Sequence, residues 1–415
     1  MPTIKHGLAV LALAALGLSG CVTHEVKPLP KLQPVQATTE IPPEQLLDVG
    51  VRLFDPNVPE EETEQEKQRV FPEVRNAESR YIPMQIRNTL EGTGYWGQVR
   101  VLPQDSDAMD VRVDGKILDS TGMDLRLAVT VTDATGRVWL DKKYEGTADT
   151  RSYKDGLDAE RDPFQNIYSE IANDMLAVRE QLAAAELAEI RRVSQLTFAA
   201  EIAPYAFEDY LQTDKKGRVS LARLPAEGDP MVARMDRVRE RDYALVDTLN
   251  EHYAVFADNV EEPYTNWRRF SYGELEAEME ARRQATTRKL LGAAAIIGGV
   301  LAAGESSTYA GQAASTAAVL GGIYAVKSGF DKDAEVKMRA ESLKQLGESF
   351  EVEVAPMVVD VEGRTLELKG SAEQQYTEWR RLLKEIYEAE TGLPADTPTR
   401  AAESPAAAAG RGSAY

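Results

Sequence analysis

Few side chains in this sequence could do covalent or acid–base chemistry. Cys21 is the only cysteine among 415 residues, and the three histidines are His6, His24 and His252. A solitary thiol has no disulfide partner, which leaves it as a buried free thiol or as a point of covalent attachment. No two histidines stand at the i, i+4 spacing that holds zinc on a helix, so no metal site is expected. No G-x-S-x-G elbow presents a serine, and no P-loop is present. His252, between Glu251 and Tyr253, reads as an ordinary helix residue rather than a general base. Asp and Glu total 68, so matching any two of them to a hydrolase carries almost no information. The chemistry therefore falls on Cys21, with no cofactor expected. An enzyme acting on cell-wall polymer is kept only as an alternative.

The residues before Cys21 say what is attached there. Lys5 and His6 form a short basic stretch, and residues 7–17 are an unbroken apolar run. That run is too short for a bilayer, which takes roughly 20 apolar residues, and fits a secretory signal over residues 1–20. It closes on Leu18-Ser19-Gly20-Cys21. This stretch resembles the lipobox of bacterial lipoproteins. The resemblance implies diacylglycerol on the Cys21 sulfur, cleavage before Cys21 and acylation of the new amino terminus. Several acyl chains at one point anchor stably. Val22 follows the cysteine, not aspartate, which by the sorting logic of Gram-negative lipoproteins implies the outer membrane.

Composition narrows the partners. The formal net charge is −20, which repels phosphate backbones, so nucleic acid is not an expected partner. Anionic lipid heads are repelled as well, so membrane attachment must come from acyl chains or apolar segments. The apolar fraction of 43% is adequate for real cores. The acidic run at residues 60–66 reads as a solvated loop or a helix start.

The elements that position these features predict an α+β chain. Residues 21–43 read as a Pro-rich, semi-extended tether. Residues 44–152 predict a small α/β module of order βαββββ. Its strands are expected at residues 48–54, 99–102, around Val111 and Val113, at residues 124–132 and at residues 138–144. A helix is expected at residues 73–90, with Pro83 as a kink or restart. In the fourth strand Leu125, Leu127, Val129 and Val131 share one face. The element order, with the stretch Leu90-Glu91-Gly92-Thr93-Gly94-Tyr95-Trp96-Gly97-Gln98-Val99-Arg100-Val101, resembles the small α/β domains of envelope lipoproteins. Examples are auxiliary lipoproteins of lipopolysaccharide and ABC-type export systems and the curli-secretion lipoprotein. That resemblance implies binding a partner or building an assembly, with no catalytic residues.

Residues 160–345 predict a helical domain. Asp229-Pro230 fits an N-cap followed by proline at the first helical position. Ser271-Tyr272-Gly273-Glu274 fits a capping box, predicting that a further helix starts there. Within 290–326, two Gly/Ala-rich arms flank Gly304-Glu305-Ser306-Ser307. Small residues recur every fourth position at Ala295, Gly299 and Ala303, then at Ala310, Ala314, Ala318 and Gly322. This spacing lets helix backbones approach closely and suits a membrane or homo-oligomer contact, or a tight hairpin buried within the fold. Tyr264, Trp267, Arg268, Arg269, Phe270 and Tyr272 form an aromatic–arginine cluster. Such residues favour partner interfaces, although an internal joint between helices is the preferred reading. Residues 346–392 predict two strands joined at Glu362-Gly363 and a helix burying Tyr376, Trp379, Leu382, Leu383, Ile386 and Tyr387. A further strand is expected at residues 350–354. Residues 393–415 read as a disordered tail.

Together these features predict a lipid-anchored, non-enzymatic envelope protein that binds unidentified envelope proteins. The alternative is a ring- or pore-forming lipoprotein that uses the 290–326 hairpin.

Overall fold

The computed structural model describes residues 30–103, 109–153, 161–302, 357–361, 364–368 and 370–392. The chain is α+β. A five-stranded sheet of order β2-β1-β3-β4-β5 is built from β1 (Val49–Arg52), β2 (Val99–Leu102), β3 (Val111–Ser120), β4 (Asp124–Asp133) and β5 (Val138–Thr147). The β1 strand runs parallel to both β2 and β3, and β3, β4 and β5 form an antiparallel meander. Two helices, α1 (Glu62–Gln68) and α2 (Pro72–Glu91), connect β1 to β2. The acidic run thus contributes a helix start.

Alternation sets the sheet's buried face. Leu125, Leu127, Val129 and Val131 are buried, whereas Arg126 between them is exposed. The covering layer is α2, over β1, β2 and β3, and α3 (Gln165–Arg179), over β5, with the two helices touching. The β4–β5 turn is held by Asp133. Its Oδ1 accepts from Thr135 N at 2.9 Å and its Oδ2 from Trp139 Nε1 at 2.8 Å. Gly136 supplies the left-handed backbone there, at φ 75°.

Pro83 lies inside α2 without ending it. A proline removes the donor that would reach the carbonyl four residues earlier. That carbonyl, Ser79 O, instead accepts from Phe54 N at 3.0 Å. The vacancy in the helix thereby ties α2 to the chain leaving β1.

Beyond α3 come α4 (Ala184–Ile202), the single turn α5 (Pro204–Phe207) and the hairpin β6 (Leu211–Thr213) and β7 (Val219–Leu221). Next is α6 (Pro230–Ala302), 73 residues long, or roughly 110 Å at the helical rise. Its start is as predicted, with Asp229 Oδ1 accepting from Met231 N at 2.8 Å. No helix begins at the Ser271–Glu274 capping signature. The helix runs through it and through Pro263. Ser271 Oγ accepts from Gly122 N at 3.3 Å, so this side chain serves the β3–β4 turn instead of a helix end.

The strands β8 (Met357–Val361) and β9 (Arg364–Leu368) pair antiparallel, as expected. In α7 (Ala372–Thr391) the six predicted apolar residues are all buried. Ser371 caps this helix, its Oγ accepting from Gln374 N at 3.3 Å, and Gly392 closes it at φ 67°. One apolar cluster joins the sheet, α2, α3, α4, α6 and α7, so the three expected segments share a core.

The tether is not free along its length. From Pro30 to Ala37 it lies against α3 and the end of α2, where Ala37 N donates to Thr93 O at 2.8 Å. Cys21, the second hairpin arm, the strand at 350–354 and the 393–415 tail lie outside the described residues.

Candidate functional site

The aromatic–arginine cluster sits where α6 crosses α2 and the β3–β4 turn. Tyr264, Trp267 and Arg268 are buried within the chain, Phe270 is half-buried, and Arg269 is exposed. Tyr264 and Trp267 stack at 6.1 Å, and Phe71 meets Trp267 edge-on at 6.0 Å.

Their polar partners come from segments far away in sequence. Arg268 Nη1 donates to Asp162 Oδ2 at 3.0 Å, and its guanidinium lies 4.1 Å from the Tyr264 ring centre. Tyr81 OH donates to the same carboxylate oxygen at 3.1 Å. Tyr264 OH donates to Glu78 Oε1 at 2.6 Å, and Ser120 Oγ donates to that oxygen too. Arg75 reaches Glu78 with its Nε at 3.9 Å and donates from Nη1 to Ile117 O at 3.1 Å. Arg268 thus faces Asp162, and Arg75 faces both Glu78 and the partly exposed Asp119, its Nη2 lying 3.9 Å from Asp119 Oδ1.

Burial pushes the Glu78 carboxyl above its ordinary pKa. The Arg75 charge, the Ser120 and Tyr264 hydrogen bonds and the Arg268 charge oppose that shift only in part. Burial alone would weaken the Arg268 cation. The Asp162 carboxylate and the surrounding tyrosines outweigh it and hold the guanidinium well above its usual range. Glu78 Oε2, Arg268 Nε and Trp267 Nε1 have no hydrogen-bond partner, an energetic cost borne within the joint. The backbones also touch here. A Cβ on Gly122 would lie 1.9 Å from Arg268 O and 2.6 Å from Tyr272 N. Tyr153 OH donates to Gly122 O at 2.5 Å. The arrangement braces a long helix against a sheet and presents its charged atoms to one another rather than to solvent.

A second brace lies farther back on α6, at the sheet edge. Asn250 Oδ1 accepts from Val101 N at 2.7 Å, and its Nδ2 donates to Val101 O at 2.9 Å. The amide thereby completes β2 as another strand would. Arg100 pairs with Asp247 at 2.6 Å and lies 4.4 Å from the Tyr243 ring centre. Near the start of β3, burial lifts the Asp110 carboxyl to about 6. Burial likewise lifts Asp242, the partner of Arg380 of α7 at 3.1 Å, to about 6.

Of the sequence-predicted site residues, the structure brings together Tyr264, Trp267 and Arg268. It places them inside the chain, where no partner protein can reach them. Arg269 is the exposed member. Ala295 and Gly299 fall on the helical backbone of α6, whereas Ala303, Ala310, Ala314, Ala318 and Gly322 lie outside the described residues, as does Cys21. Sequence reasoning missed Glu78, Arg75, Tyr81, Ser120 and Asp162. A usable signal existed for two of them. Arg75 and Glu78 are opposite charges at i, i+3 among the apolar positions Val74, Ala77, Tyr81 and Ile82 of α2. Among the described residues no cluster of His, Cys, Asp and Glu could hold a metal ion. Among them, too, no helix is long and apolar enough to cross a membrane. No family model matches the chain, and no curated protein or solved structure matches it.

Proposed function

We propose that this protein is a lipid-anchored component of a Gram-negative envelope, held at the periplasmic side of the outer membrane through Cys21. On this reading it acts by presenting surfaces to partner proteins, and the braced α6 projects one of those surfaces away from the α/β body.

The observation that carries the reading is a shared point of attachment. Arg161 Nη2 donates to Leu32 O at 2.8 Å, while the next residue, Asp162, holds Arg268 of α6. Leu32, on the way toward Cys21, and Arg268 of α6 are therefore held by adjacent residues of the body. Past Arg268 the helix pairs with the body again through Arg69 and Glu278, 2.7 Å apart, and continues to Ala302. That is about 36 Å farther at the helical rise. The residues between Cys21 and Pro30 span at most about 30 Å when fully extended.

Photo-cross-linking in intact envelopes tests this, with the probe at exposed Arg269. The reading expects a reproducible envelope partner, lost when Cys21→Ser frees the chain from the membrane. Recovery of no reproducible partner over repeated experiments would sink it.

A further inference from the structure

The segment that leads from the anchor to the fold is gripped in a regular way. Asn166 Oδ1 accepts from Leu32 N at 2.9 Å, and its Nδ2 donates to Pro30 O at 3.1 Å. One step along, Asn173 Oδ1 accepts from Val35 N at 2.8 Å, and its Nδ2 donates to Gln33 O at 3.2 Å. Each side-chain amide therefore reads a carbonyl and the N–H two residues later, and the pattern repeats after three strap residues. A polyproline II chain has three residues per turn and advances about 9.3 Å in that turn. Seven residues of α helix, the step from Asn166 to Asn173, advance about 10.5 Å. The two repeats match to about 1 Å. Pro28, Pro30 and Pro34 favour the polyproline II form before it docks.

The two asparagines hold this segment by its backbone. Lys31, Leu32, Gln33, Val35 and Gln36 are all exposed, with Leu32 at 38% and Val35 at 50%. Each amide hydrogen bond contributes little net stability, and no large apolar side chain is buried to add to it. Segments held in this way sit at the low end of local stability. They open without disturbing the core.

We infer that the Asn166–Asn173 ladder is a releasable clasp that sets the reach of the membrane anchor, an inference that rests on the anchor reading of Cys21. With the clasp closed, the lead from Cys21 to Pro30 allows about 30 Å. With it open as far as Ala37, where the Thr93 carbonyl takes over, the lead allows about 55 Å. The clasp is built from neutral amides, and Arg161 Nη2 donates both to Leu32 O at 2.8 Å and to Asn166 Oδ1 at 2.9 Å.

The test compares the full chain with its Asn166→Ala/Asn173→Ala variant. In the parent, amide hydrogen exchange at Leu32 and Val35 should be slowed about 10- to 100-fold relative to an unstructured peptide. The variant should lose that protection while the amides of β3 and β4 keep theirs. In lipid nanodiscs, energy transfer from a dye at Glu91→Cys to a headgroup dye should fall in the variant, reporting a longer mean separation. Unprotected Leu32 and Val35 in the parent would overturn the inference. So would protection that survives in the variant, or an unchanged separation. Failure of the parent to join nanodiscs at all would sink the anchor reading alone. The exchange result, read equally well on the Cys21→Ser chain, still decides whether the clasp exists.

Discussion

Replacing Arg268 with methionine probes the joint that fixes α6 to the sheet. The guanidinium and its partner Asp162 are almost fully buried, at 2% and 5% side-chain exposure, with 3.0 Å between them. Removing one member of such a pair strands the other charge, at a cost of about 3–5 kcal/mol. The lost contact with the Tyr264 ring adds about 1–2 kcal/mol, with incomplete additivity. A net loss of about 4 kcal/mol is expected, a large share of a domain's stability. Arg268→Met/Asp162→Asn removes both charges and should cost less than about 2 kcal/mol, because a neutral pair strands nothing. The pH dependence has a fixed sign. Losing the cation raises the folded-state pKa of Glu78 further, and a raised carboxyl pKa withdraws stability as pH rises. The single variant should therefore be more damaged at pH 7.5 than at pH 5. Urea unfolding followed by tryptophan fluorescence measures all of this, since Trp267 lies in the joint. The reasoning fails if the single variant costs under about 1 kcal/mol, or if the double variant costs as much as the single.

Other outcomes follow from separate features. Gly122→Ala should lower the melting temperature and cost about 1–3 kcal/mol, because its Cβ meets the backbone of α6, which cannot rotate aside. Asp110 has a folded pKa of about 6 against an ordinary 3.8, so its contribution is full below pH 3.8 and is lost as pH rises through 6. That difference amounts to about 3 kcal/mol, and Asp110→Asn should flatten the urea-measured stability over that window by a similar amount. Asn250→Leu should cost about 1–3 kcal/mol by leaving Val101 N–H and C=O unpaired, and native-state hydrogen exchange at Val101 should rise.

The parts of this fold that were legible are those where local pattern and tertiary need agree. The alternation of Leu125, Leu127, Val129 and Val131 predicts one buried face, and that face is buried. Asp229-Pro230 predicts a helix start and makes one. Glu362-Gly363 separates two strands that pair. The Ser271–Glu274 signature misleads because the tertiary contact with Gly122 takes Ser271 and packing carries α6 through. Most of the joint was illegible for a different reason. Glu78 and Tyr264 stand 186 residues apart, and no local pattern reports that pairing. The clasp was hidden because an asparagine within a helix reads as neutral. Its meaning appears only when Pro30 and Gln33 lie across it. The tether's prolines suggest an extended chain, and nothing local to them reports that Pro30 to Ala37 is docked.

The central claim is that Cys21 is an acylated anchor, and mass spectrometry of the amino-terminal peptide from envelope-purified protein tests it most directly. The account predicts a chain beginning at Cys21, with a diacylglyceryl thioether and an acylated amine. An unmodified Cys21 thiol, or a chain that still carries residues 1–20, would contradict it.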